Sequence, residues 1–234
     1  MTSGDRPLEI GALLFEGVDQ LDLTGPFEVL APLPDTVFRL YGKTTAPVRD
    51  MHGLRLLPDA RLDNAPRLDV LVVPGGFGQE AVMEDEETLA WVERQAEDAT
   101  HVLSVCTGAL ILGAAGLLRG RRATTHWAVR HLLPFFGAFG VDERVVVDGK
   151  VTSTAGVTAG LDGALRLAAA LRGEEAAREI QLFMEYAPQP PFDSGSVTSA
   201  PLSVVEGVRL RTQAITARRE ATARRIATKL GIEA

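Results

Sequence analysis

His101-Val-Leu-Ser-Val-Cys106, running into Thr107-Gly-Ala-Leu-Ile-Leu-Gly-Ala-Ala-Gly-Leu-Leu118, is the stretch on which the fold turns. Its first part is almost wholly apolar, as expected of a strand buried in a parallel sheet with helices over both faces. Its second part is apolar all round, which predicts a buried helix. Two further runs have the same character as the first: Leu8-Glu-Ile-Gly-Ala-Leu-Leu-Phe15, and Asp69-Val-Leu-Val-Val-Pro74 leading into Gly75-Gly76. Thr36 to Gly42 is a weaker fourth strand. Val145 to Val147 and Val151 to Thr154, around Asp148-Gly149, read as a hairpin. Between the strands lie helical stripes. Leu89, Val92 and Ala96 share a face within Glu86 to Asp98, and Leu161, Ala164, Leu165, Ala168 and Leu171 share another that Gly173 can close. Strands alternating with helices predict an α/β fold, a single domain with a mostly parallel sheet sandwiched by helices.

The chain has 234 residues, of which 46% are hydrophobic and 24% charged, which excludes disorder or a coiled coil as a description of the whole. A formal net charge of -7 argues against a general nucleic-acid or anionic-membrane binder. Cys106 is the single cysteine, so an intrachain disulfide and a cysteine-rich zinc site are both excluded, and the lone thiol fits a reducing compartment. Met1 to Ile10 lacks the basic start and apolar run of a signal peptide. The longest apolar stretch, Gly108 to Leu118, is about half of the ~20 residues that cross a bilayer. The expectation is a soluble, cytoplasmic protein with no membrane and no nucleic-acid partner. Pro188 to Ser203, rich in Pro, Ser and Gly, reads as a loop. Val204 to Ala234 carries seven basic and three acidic residues, a net of +4, and places Val205, Val208, Ile215, Ile226 and Leu230 on a rough stripe. We therefore expect an α/β domain over 6–187, then a loop and a basic amphipathic helix over 188–234 that packs on the acidic body or on a second subunit.

Cys106 closes a buried strand just where the next helix opens, so its side chain is held at the carboxyl end of the sheet. The helix start favours thiolate over thiol and predicts a lowered Cys106 pKa. A thiolate needs a proton partner, and Asp22, in Gln20-Leu-Asp-Leu-Thr-Gly-Pro26, follows the first strand and reaches the same end. Flanked by Leu21 and Leu23, its carboxyl can be desolvated toward an acid/base range, and an Asp here is equally suited to capping a helix. Gly75-Gly76-Phe-Gly78 either offers backbone N–H groups to a developing negative charge or makes a tight turn. Glu84-Asp-Glu-Glu87 reads as a solvated helix start. The four histidines (His52, His101, His126, His131) show no metal-ligand spacing, so no metal is expected. His126 and Trp127, after a possible short strand at Ala123-Thr-Thr125, line a pocket or belong to the core or surface.

These motifs resemble the ThiJ/PfpI superfamily, related to the class I glutamine amidotransferase domains. The likeness covers essentially the whole chain. It is carried by Gln20 to Pro26, Pro74-Gly-Gly76, Ser104-Val-Cys-Thr-Gly108, Leu112-Gly-Ala-Ala-Gly-Leu-Leu118, Arg122-Ala-Thr-Thr-His-Trp127, Thr158-Ala-Gly-Leu-Asp162 and Glu185-Tyr-Ala-Pro-Gln-Pro-Pro-Phe192. The superfamily's peptidase-like members place His after the nucleophile, where this chain has Thr107. Its glyoxalase-like and deglycase-like members place Glu where this chain has Asp22. Asp at that position is similar to the isocyanide-hydrating branch. The resemblance thus implies a flavodoxin-like fold, a homodimer, a small isocyanide substrate and hydro-lyase chemistry without a cofactor. It implies Cys106 as nucleophile, Asp22 as acid/base and Thr107 as a hydroxyl beside them. Backbone groups of Gly75, Gly76 and Val157, with His126, would surround the intermediate. Another thiol enzyme of the superfamily, or a ligand-sensing domain without turnover, are the alternatives; regulators of that kind carry a helix-turn-helix region larger than the ~30 residues that follow the shared core here.

Overall fold

A computed structural model describes residues 6–233. In chain order the elements are β1 (Leu8–Leu13), α1 (Gln20–Leu30), β2 (Thr36–Gly42), the short pair β3 (Val48–Arg49) and β4 (Arg55–Leu56), β5 (Ala60–Arg61), β6 (Val70–Val73), α2 (Gln79–Val82), α3 (Glu86–Asp98), β7 (His101–Ser104), α4 (Gly108–Ala114), β8 (Arg122–Ala123), a 3-10 helix over Trp127–Phe136, β9 (Phe139–Gly140), β10 (Val145–Asp148), β11 (Val151–Thr154), α5 (Ala159–Arg172), α6 (Glu174–Phe183) and α7 (Leu202–Leu230). Seven strands form one sheet in the order β10-β11-β7-β6-β1-β2-β5. All of its pairings are parallel except the β10–β11 hairpin. One layer of helices contains α1, α5 and α6; the other contains α2, α3, α4, the 3-10 helix and α7.

The expected strands are present and shorter than their apolar runs. β1 ends at Leu13 and β7 at Ser104, because the residues that follow leave the ladder to build turns. α4 stops at Ala114 rather than at Leu118, where Gly116 turns the chain with φ +75°. α3 has the predicted bounds, and Gly173 ends α5 with φ +89°. α1 has little one-sided apolar pattern and α2 is a single turn, whereas α6 and the 3-10 helix carry apolar stripes to which the sequence reading assigns no helix: Ala177 and Ile180 are buried in the first, and Val129, Leu132, Leu133 and Phe136 in the second. Within α1 the capping role falls to Asp19, whose side chain accepts from Leu21 N–H at 3.1 Å.

The order in which strands are added reverses between β1 and β6, since β2 and β5 lie on one side of β1 and β6, β7, β11 and β10 on the other. Ligand sites of open α/β sheets lie at such a switch point, beyond the carboxyl ends of the strands. Backbone hydrogen bonds stitch the turns there: Asp19 N–H donates to Gly75 O and Gly78 N–H to Gly17 O, both at 2.9 Å. α7 closes over this region. Its buried face holds Val205, Ile215, Ala223, Ile226 and Ala227. The acidic segment at the start of α3 is not merely solvated, because Arg225 pairs with Glu84 and Lys229 with Glu86, each at 2.8 Å. These pairs are exposed, and solvent screens them strongly. The apolar face does most of the holding. Among the described residues, no helix is long and apolar enough to cross a membrane.

Gly108 permits the closest approach of α4 to the sheet. A Cβ there would lie inside contact distance of the Val73 carbonyl oxygen and 2.9 Å from that of Pro74. Gly108→Ala should therefore lower folding stability by about 1–3 kcal/mol, read as a lower urea midpoint at unchanged slope.

Candidate active site

Cys106 sits in the turn between β7 and α4 with φ +55°, a left-handed conformation that L side chains rarely adopt. The turn is held in that state from two sides. Cys106 N–H donates to Ala155 O at 3.0 Å, and Thr125 Oγ1 donates to Cys106 O at 2.6 Å. Thr125 is fully buried, and neither spacing nor charge singled it out in the sequence. The result presents the thiol at the switch-point end of the sheet, only 6% exposed. Backbone N–H groups of Val157 and Thr107 donate toward the sulfur. Val157 itself has φ +28°, so the second wall of the site is also a strained turn.

Asp22, on the first turn of α1, is completely buried. Its Oδ2 accepts from Gly75 N–H at 2.9 Å, and Oδ1 has no hydrogen-bond partner among the described residues. Burial pushes the carboxyl well above its ordinary range, and the charge of Asp19 adds to this; Gly75 N–H and the Cys106 thiol act the other way. The thiol is also pushed up, first by burial and then by the charge of Asp22, against the pull of the Val157 and Thr107 N–H groups. The expectation of a lowered Cys106 pKa is thus reversed. A strand–helix turn is visible in the sequence, whereas the depth of the sulfur and its acidic neighbour are not. Two adjacent acids in one dry space ionise as a coupled pair, and burial together with their mutual charge disfavours the doubly ionised state.

Gly75 and Gly76 do something other than face open space. Gly75 N–H is taken by Asp22, and Gly76 N–H donates to Thr107 Oγ1 at 3.1 Å, which in turn donates to Gly76 O at 3.3 Å. The anticipated oxyanion donors are therefore committed to positioning the carboxyl and the hydroxyl. A Cβ on Gly75 would stand 2.5 Å from Thr107 Oγ1 and 2.9 Å from Asp22 Oδ2, so Asp22 and Thr107 close in on the space a side chain would fill. Among the anticipated backbone donors, Val157 N–H is the one aimed at the sulfur.

His126 precedes the 3-10 helix, and its Nδ1 accepts from Ala128 N–H at 3.3 Å. Burial, helped by the positive charge of Arg219, lowers its pKa to about 4, so the ring is neutral at pH 7. With Thr125, Val157, Thr158 and Arg144 it lines a cavity of about 380 Å³. Val157 lines this cavity, while Cys106 and Asp22 are not among its lining residues. Arg219 of α7 went unnoticed in the sequence because it was counted with the solvated basic residues. It is 5% exposed, and it follows Ile215 and precedes Thr222 and Ile226 on the buried stripe, which is the signal that could have found it. Among the described residues, no group of three His, Cys, Asp or Glu side chains is placed to hold a metal ion.

A buried cysteine on a strained strand–helix turn, with a protonatable carboxyl beside it at the switch point of a parallel sheet, defines a thiol-bearing α/β domain. Residues 9–170 match the DJ-1/PfpI family, and the chain belongs to that family. It is 51% identical to an isonitrile hydratase of Pseudomonas putida over 96% of this chain and 99% of that one. A ThiJ/PfpI family protein from Pseudomonas syringae, whose crystal structure is known, superposes with a TM-score of 0.91 at 40% identity, covering 93% of this chain and 90% of the other. A deglycase of Thermococcus kodakarensis is 36% identical, over 44% of this chain and 63% of its own.

The lowered His126 pKa means that the folded state resists protonating this ring while the unfolded chain does not. Stability from this group is present above about pH 6.5 and is lost as pH falls toward 4. Urea denaturation of the wild type and His126→Gln across that range should show the wild type losing stability relative to the variant on acidification.

Proposed function

We propose that this protein is an isocyanide hydratase, adding water to R–N≡C to give an N-substituted formamide, without a cofactor. The observation that carries the reading is the 51% identity to an isonitrile hydratase over nearly the full length of both chains. The site geometry supports a covalent route. The reactive form has Cys106 as thiolate and Asp22 as acid, which suits a pair in which a second negative charge is disfavoured. The thiolate attacks the terminal carbon, and the Asp22 proton passes to that carbon, giving a thioimidate, R–N=CH–S–Cys106, and an Asp22 carboxylate. Water then adds to the same carbon. Asp22 takes a proton from the water and delivers it to the nitrogen. On collapse the hydroxyl proton returns to Asp22, the C–S bond breaks, and the formamide leaves with thiolate and acid restored. One hard hydration becomes two easier additions.

Thr107 holds its hydroxyl beside this path, fixed by both polar groups of Gly76. Val157 N–H holds the sulfur's negative charge, and the cavity lined by His126 and Val157 accepts the R group. A neutral His126 adds no competing acid to that cavity. We also propose that the chain works as a homodimer in the cytoplasm. Leu182 and Phe183 at the end of α6, with Leu202 and Leu210 on α7, are 69–85% exposed and supply apolar surface for a second copy.

The test is turnover of an aryl isocyanide by reduced protein, with formamide followed by absorbance. Wild type should turn over, Cys106→Ala and Cys106→Ser should not, and Asp22→Asn should lose about 10²-fold or more. Near-normal rates in Cys106→Ala would sink the covalent route. Reduced wild type that yields lactate from methylglyoxal and no formamide would move the assignment to the glyoxalase-like branch.

A further inference from the structure

Arg219 is a charged group in an unusual setting. It reaches from α7 into the protein beneath the turn after β6 and is almost fully buried. Its Nη2 donates to Gly76 O at 2.7 Å and its Nε to Gln79 Oε1 at 3.0 Å. The guanidinium also lies over the Phe77 ring, 6.0 Å from its centroid. Both hydrogen-bond acceptors are neutral, and among the described residues Arg219 has no carboxylate hydrogen-bond partner. Buried arginines are ordinarily paired with a carboxylate, because a lone charge in a dry interior is strongly unfavourable. A partner of the right shape is present and uncharged. Gln79 is completely buried, and its Nε2 has no hydrogen-bond partner. A glutamate there would give Arg219 an ion pair and remove an orphaned donor.

Gly76 O accepts both from Arg219 Nη2 and from Thr107 Oγ1. The guanidinium is thus two hydrogen bonds from the residue that follows Cys106. We propose that Arg219 is a positioning residue for the nucleophile, a buried positive charge left without a carboxylate so that its field stabilises the Cys106 thiolate. It supplies what the buried site otherwise lacks. The N–H groups of Val157 and Thr107 give only partial charges, while Asp19 and Asp22 on α1 oppose a second anion. His126 is neutral and contributes none. The other charges acting on Arg219 are Glu80 and Arg218, and they are opposite in sign. The strongest pull toward its charged form comes from Cys106 itself.

The inference rests on Cys106 being the nucleophile and not on which electrophile it attacks. It is tested by titrating the thiolate through its ultraviolet absorbance, with Cys106→Ser subtracted; the chain has one cysteine and two tyrosines, so the signal is assignable. Arg219→Gln removes the charge, and Gln79→Glu keeps the guanidinium but pairs it. Both should raise the apparent thiol midpoint by about one pH unit or more. Gln79→Glu should unfold at a temperature at or above that of the wild type, which separates the electrostatic role from a structural one. The rate lost at pH 7 should be recovered at higher pH in both. Arg225→Gln, which removes another α7 charge through its surface pair with Glu84 and its hydrogen bond to Thr222, should leave the midpoint in place. A folded Gln79→Glu whose midpoint equals the wild type would overturn the proposal, even if Arg219→Gln fails to fold. Because the titration needs no isocyanide, its failure is distinct from a failure to form formamide.

Discussion

The Cys106 thiol and the Asp22 carboxyl share a buried space in which a second negative charge is disfavoured. Both are buried, both are acids, and desolvation raises each of them. Everything around them is arranged to decide which atom carries the charge and where the proton rests. Gly75 N–H holds one oxygen of Asp22, Val157 and Thr107 turn N–H groups toward the sulfur, and the carboxyl's other oxygen has no hydrogen-bond partner. A thiolate and a carboxylic acid are also the two species that an addition to an electrophilic carbon requires, one to attack and one to protonate. In the proposed hydration these are the parts taken by Cys106 and Asp22.

That arrangement depends on backbone turns that the remainder of the fold pins in place. Left-handed φ at Cys106 is unfavourable by about 1–3 kcal/mol. It persists because Ala155 O and Thr125 Oγ1 grip the turn through the peptide groups on either side of its Cα. Gly75 and Gly108 leave room for the β6 turn and the start of α4 to meet, and Gly76 leaves room for the backbone of Gly17 to Asp19. α7 seals the assembly with an apolar face and inserts Arg219 from the opposite end of the sequence. Stability and the site draw on the same contacts, since the helix that closes over the site also buries the Arg219 guanidinium, whose positive charge lowers the pKa of His126.

Much of the architecture was legible before the structure. β1, β6 and β7 are covered on both faces, and that environment writes itself as unbroken apolar runs. α3 and α5 are half-solvated, so their periodicity shows. α2 has four residues, too few for a period to show, whereas α6 and the 3-10 helix carry one-sided apolar stripes, with Ala177 and Ile180 buried in one and Val129, Leu132, Leu133 and Phe136 in the other, so their pattern was in the sequence and went unassigned. In the site, the positions of Cys106 and Asp22 at the carboxyl ends of β7 and β1 followed from each residue's place just after a predicted strand. The tasks of Gly75 and Gly76 did not, since a run of glycines marks close approach without saying what approaches.

The sequence by itself determined a parallel α/β sheet, the lone thiol at a strand–helix turn, and the acid and hydroxyl that accompany it, because these are local in character or repeat along the chain. Only the tertiary structure decided the protonation of the pair, the roles of Thr125 and Arg219, and the neutrality of His126. Each of those depends on burial and on charges more than 100 or several tens of residues away in the chain, as with Arg219 and Gln79, separated by 140 positions. Desolvation and electrostatic fields act through space, and no spacing rule along a chain encodes them.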